Sequence, residues 1–114
     1  MAEGKTIKPY GTWPSMIAAS DVALAGVRYG LCAMDGGNLY WSEFRPDDGP
    51  RSVIVRRDCS GKSSDILPPP FSARSRVHEY GGGEFSVTGG QVVFVNDSGQ
   101  DVYVVGQGGN PRRL

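Results

Sequence analysis

A glycine pair followed by an alternating run occurs twice in this chain, and it leaves few folds open. Gly36-Gly37-Asn38-Leu39-Tyr40-Trp41 is matched in pattern by Gly89-Gly90-Gln91-Val92-Val93-Phe94. Ser52-Val53-Ile54-Val55 is likewise matched by Asp101-Val102-Tyr103-Val104. Alternation of this kind is the period of an extended strand, and glycine pairs between such runs mark tight hairpins. Two copies of one hairpin unit, each spanning about forty residues, point to four-stranded blades of a β-propeller. The 17 glycines and 8 prolines fit many turns between short strands. A generic run of hairpins also gives turns at such spacing, and the repeat favours blades over that reading.

Read in order, residues 1–28 form a lead-in. Pro9 and Pro14 break it, and Ser15 is placed to cap a short helix over Met16–Ala19, extending as far as Ala25 before Gly26 stops it. Residues 29–70 form the first blade. Its strands are expected at Tyr29–Met34, Asn38–Phe44, Ser52–Arg57 and Asp65–Leu67, the last stopped by Pro68-Pro69-Pro70. Leu39, Trp41 and Glu43 alternate with Tyr40 and Ser42. Residues 71–114 form a second, incomplete blade that opens with Glu84–Val87. The fold class is therefore all-β: about two four-stranded antiparallel blades after a short N-terminal helix, in an incomplete propeller.

The run Ser75-Arg76-Val77-His78-Glu79-Tyr80-Gly81-Gly82-Gly83 holds the only histidine and a glycine triplet. It reads as a strand entering a bend, with Arg76, His78 and Tyr80 on one face and Glu79 on the other. Gly81, Gly82 and Gly83 permit positive φ or close approach of another backbone. Two roles stand open for these side chains. One is a wall of a wet substrate channel or an interface between domains. The other is structural pairing with neighbouring blades, which suits Arg76 and Glu79 better than His78 and Tyr80.

Arg76-Val77-His78-Glu79-Tyr80-Gly81-Gly82-Gly83 resembles a run near the start of the propeller in serine peptidases of the prolyl oligopeptidase family, those named dipeptidyl aminopeptidase or acylaminoacyl peptidase. Tyr10-Gly11-Thr12-Trp13-Pro14-Ser15 resembles their lead-in, and Leu39-Tyr40-Trp41-Ser42-Glu43 with Arg45-Pro46 resembles their first-blade strand. The resemblance implies a propeller that gates peptide access to an α/β-hydrolase domain. That domain is missing from this sequence, so the chain looks like a fragment of such a peptidase. Its expected partners are peptide substrates and that hydrolase domain. The alternatives are a stand-alone module binding a protein or peptide, and an inactive truncated remnant.

The chemistry-bearing motifs point the same way. An α/β-hydrolase nucleophile sits on Gly-x-Ser-x-Gly, and no such pentapeptide occurs, so no catalytic residue is assigned and the chain alone is expected to hydrolyse nothing. Gly61-Lys62-Ser63 lacks the earlier glycine of a phosphate loop, and Gly106-Gln107-Gly108-Gly109 lacks a strand-to-helix setting. No cofactor or metal is expected. Cys32 and Cys59 read as free thiols. Lys plus Arg and Asp plus Glu are both 12, so no basic field favours nucleic acid. Neither an apolar stretch of membrane-spanning length nor a signal layout is present, and a cytoplasmic location is expected. Uncovered blade faces and edges are expected to drive self-association. The apolar candidates there are Leu39, Trp41, Val53, Val55, Val92, Phe94, Val102 and Val104.

Overall fold

The computed structural model describes residues 4–23, 26–77 and 80–114. Their regular structure is one helical turn and eight strands. The helix, α1, spans Ala19–Ala23. It starts later than Ser15 suggested because that hydroxyl accepts from the Ile17 amide and closes a local turn instead. Asp21 takes over the end of the helix, accepting the Ala18 amide at 2.7 Å while its own amide donates back to the Ala18 carbonyl. The lead-in does not join the packed body. Ile7, Tyr10 and Met16 are fully exposed, and the radius of gyration is 20.6 Å against about 13 Å for a compact domain of this size.

Two four-stranded antiparallel sheets follow, each in simple sequential order. The first contains β1 (Arg28–Asp35), β2 (Asn38–Arg45), β3 (Arg51–Arg57) and β4 (Ser63–Asp65). The second contains β5 (Phe85–Thr88), β6 (Gln91–Val95), β7 (Val102–Val105) and β8 (Arg112–Arg113). The glycine pairs do the work their pattern implied. Gly36 and Gly37 have φ of 57° and 80°, and Gly89 and Gly90 have 58° and 75°. Two successive positive φ values define the hairpin turn whose twist matches that of the strands it joins. The two hairpin tips also touch, for the Gly90 amide donates to Asp35 Oδ2 at 2.8 Å.

Strand alternation is as read, and the deeply buried face of β2 is the one carrying Tyr40 and Ser42. Tyr40 and Ile54 pack with Phe85, Val92, Phe94 and Val105 of the second sheet, with Leu67 and Ala73 between. Each sheet thus covers one face of the other, as consecutive blades of an incomplete propeller. Phe94 lies at the middle of this core, 6.0 Å from Phe71 edge-on and 5.7 Å from Tyr103 in a stacked arrangement.

Four of the residues expected on uncovered faces are buried. Val92 and Phe94 belong to the core between the blades. Val53 and Val55 are buried on the opposite face of the first blade, where the register sets Trp41 beside Val55 and Glu43 beside Val53. Leu39, Trp41 and Val104 are half-buried, and Val102 is exposed.

The fourth strand is Ser63–Asp65 rather than Asp65–Leu67. Ile66 gives one more ladder bond, to the Ile54 carbonyl at 2.8 Å, after which the prolines have no N–H to donate. Leu67 is instead turned into the core. The expected strand over Arg76–Tyr80 does not form in its described part. The Tyr80 and Gly81 amides both donate to the Val77 carbonyl, closing a turn. The Arg76 amide, which a ladder would need, is taken by the Gln100 side chain at 2.9 Å. His78 and Glu79, and with them the shared face proposed for Arg76, His78 and Tyr80, lie outside the described residues.

Candidate functional site

The crossing from the first blade to the second builds the site. After Pro70 the chain passes between the sheets. The Ala73 amide donates to the Ser52 carbonyl, the Arg74 amide to the Val95 carbonyl, and Ala73 forms an isolated antiparallel bridge with Asn96. Ser72 bonds both ways, its hydroxyl accepting from Ser52 and its amide donating to Asn96 Oδ1. Arg51 fixes the approach from below. Its buried guanidinium donates to the Phe71 carbonyl at 2.9 Å and to the Leu67 carbonyl at 3.3 Å, and pairs with Asp48.

Beyond Ser75 the chain turns sharply at Gly81, whose φ is +80°. A Cβ there would stand 2.7 Å from the Ser75 carbonyl oxygen, so the position needs glycine for conformation and for space. At Gly82 and Gly83 an added Cβ would meet nothing within 4 Å, so the close approach is confined to Gly81. Glu84 then ties the second blade to the first. Its Oε1 accepts from the Ser42 hydroxyl at 2.9 Å and from the Leu31 amide at 3.4 Å. The register of β1 shifts between Tyr29 and Cys32, and Gly30 in that bulge lies so near that a Cβ would meet Ser42 Oγ at 2.5 Å.

A cleft of about 300 Å³ opens at this junction. Arg28, Phe44 and Ser52 line it from the first blade, Glu84 from the second, and Arg74, Arg76, Tyr80, Gly81 and Gly82 from the crossing. Of the expected site residues, Arg76, Tyr80, Gly81 and Gly82 therefore come together here. Gly83 follows them and is not part of the lining. His78 and Glu79 lie outside the described residues.

The side chains differ in how far they are committed. Arg76 is anchored to the second blade, its Nη2 donating to the Asp97 carbonyl at 2.8 Å and its Nε lying 3.8 Å from Asp97 Oδ1. Tyr80 is fully exposed. Arg28 lies over the Phe44 ring, 4.9 Å from its centroid. No carboxylate among the described residues pairs with Arg28 or Arg74. Reading along the sequence missed Arg28, Arg74, Phe44 and Glu84, which come from four separate stretches. Glu84 was read as the first residue of the Glu84–Val87 strand, whereas the strand begins at Phe85 and leaves Glu84 just before it.

Charge pairing elsewhere is peripheral to the cleft. Arg45 grips Asp65 through two hydrogen bonds of 2.7 and 2.8 Å, which hold that carboxyl below the ordinary aspartate range. In the turn after β3, the Ser60 hydroxyl and the amides of Lys62 and Ser60 donate to Asp58 and lower its pKa in the same way. Among the described residues no helix is long and apolar enough to cross a membrane, and no three metal-ligating side chains gather.

No protein-family model matches the chain, and no curated protein matches it. Solved structures do. A puromycin-hydrolysing peptidase of Mycobacterium tuberculosis aligns over 96% of this chain with 35% identity and a TM-score of 0.80. A puromycin hydrolase aligns over the same share with 32% identity and a TM-score of 0.76. A serine-to-alanine variant of puromycin hydrolase, in complex with PGG, aligns over 94% with 32% identity and a TM-score of 0.76. The likeness is that of an N-terminal propeller segment from peptidases of the prolyl oligopeptidase family. The chain spans 18% of the length of each of these structures. The alignment takes in nearly all of the chain, both four-stranded sheets included.

Proposed function

We propose that this chain serves as the N-terminal part of a peptidase propeller that limits which peptides reach an α/β-hydrolase domain. In this reading residues 1–28 are a lead-in, 29–70 the first blade and 71–114 the second. The parent enzyme acts as a cytoplasmic dipeptidyl aminopeptidase or acylaminoacyl peptidase, and small aminoacyl compounds related to puromycin are within its range. The alignment with puromycin-hydrolysing peptidases over nearly the whole chain, at 32–35% identity, carries this reading. The polar cleft where the crossing segment meets both blades supports it. In the intact enzyme Tyr80 faces the channel or the hydrolase domain, while Arg76 holds the blades in register through Asp97.

The test is a chimera. The corresponding segment of a puromycin-hydrolysing peptidase is replaced by this chain, and hydrolysis of puromycin and of aminoacyl chromogenic substrates is measured. A folded chimera that retains both activities supports the proposal. A folded chimera that has lost them overturns it.

A further inference from the structure

We propose that the cleft at the blade junction binds the free carboxylate end of a peptide, with Arg28 and Arg74 as its ligands. The proposal rests on the reading of this chain as a filter for peptides and assigns a residue-level site within it. Three guanidinium groups line the cleft, and among the described residues Arg76 alone is committed to an acidic neighbour, Asp97. Glu84 contributes one negative charge, with one of its oxygens already engaged by Ser42 and Leu31. The described lining therefore keeps a positive balance, although the chain as a whole is neutral.

Arg28 is oriented for this task by the Phe44 ring beneath it. Arg74 is held through its backbone by the bond to Val95. A guanidinium presents paired N–H donors in a plane, the match for a carboxylate rather than for a single lone pair. Phe44 and Tyr80 add aromatic wall for the adjoining side chain, and Ser52 and Ser75 add polar edge. A volume of about 300 Å³ lies at the lower end of small-ligand sites, enough for a short peptide terminus.

The experiment titrates the isotopically labelled 114-residue chain with N-acetyl-diglycine and with its C-terminal amide, following backbone amide shifts. The acid is expected to shift cleft residues such as Ala73, Arg74, Gly82 and Glu84, and the amide to leave them in place. Arg28→Gln and Arg74→Gln are each expected to weaken the acid by about tenfold, while the exposed Arg112→Gln leaves it unchanged. Equal binding of acid and amide, or no effect of either cleft substitution, overturns the proposal. Inorganic phosphate binding as tightly as the peptide acid also overturns it, since the cleft would then be an unselective anion site. Peptide binding by this chain together with an inactive chimera would leave the carboxylate site standing and remove the filter role.

Discussion

Phe94→Ala removes one of the largest fully buried side chains. The Phe94 side chain is 1% exposed and belongs to the core cluster that also holds Tyr40 and Ile54, with Phe71 edge-on and Tyr103 stacked against it. Truncating a buried phenylalanine costs about 3–5 kcal/mol, through lost transfer energy and the cavity left behind. Two aromatic partners place this site in the upper half of that range. A domain of this length has roughly 6–17 kcal/mol to lose, at ~0.05–0.15 kcal/mol per residue. A pair of blades with an outer face uncovered belongs at the lower end, so the change removes half of the stability or more. The assay is equilibrium urea unfolding followed by circular dichroism at fixed protein concentration. The control is Val93→Ala, half-buried on the opposite face of the same strand, with an expected loss of about 1 kcal/mol or less. Equal losses at Phe94 and Val93 would refute packing of the blades through the Tyr40–Phe94 core.

Gly81→Ala should cost about 2–4 kcal/mol, combining positive-φ strain with displacement of the Ser75 carbonyl, whereas Gly83→Ala, with open space around it, should cost about 1 kcal/mol; urea midpoints compare them. Asp65→Asn should weaken the chain slightly at pH 7, by at most about 1 kcal/mol because the carboxylate is half exposed. The folded-state pKa of Asp65 is depressed, so its contribution is full above the ordinary aspartate value and disappears as pH falls through the depressed one. The melting-temperature gap between wild type and Asp65→Asn should therefore close between about pH 5 and pH 2. Arg76→Ala should lower the melting temperature of the chimeric peptidase modestly and leave kcat/KM unchanged, since its side chain is engaged with Asp97; lost kcat/KM with an unchanged melt would assign Arg76 to the substrate instead.

Much of the fold was legible because the hairpins are locally specified. Gly36-Gly37 and Gly89-Gly90 set the turns, and the alternation through β2 and β6 sets the faces. Which face is buried was not local information. Tyr40 and Ser42 lie inward because Phe85, Val92 and Phe94 arrive from another sheet, and only the pairing of blades decides that. The glycine triplet did not say which of its members is crowded: a Cβ would meet the Ser75 carbonyl at Gly81 and open space at Gly82 and Gly83. The strand expected before the triplet failed for a tertiary reason, as Gln100 takes the amide that a ladder would need. The cleft shows the same limit. Arg28, Phe44, Arg74 and Glu84 carry no mutual spacing signal, and meet only where the crossing passes between the blades.

The claim that these blades filter peptides is tested most directly by a length ladder on the chimeric peptidase. Peptides sharing one N-terminal residue and growing at the C-terminus are compared by kcat/KM. A filter predicts a steep fall once the peptide outgrows the propeller opening, by about tenfold or more, ~1.4 kcal/mol. The same fall should be seen in the parent enzyme. A folded and active chimera whose kcat/KM does not depend on peptide length, beside a parent whose kcat/KM does, would contradict the account.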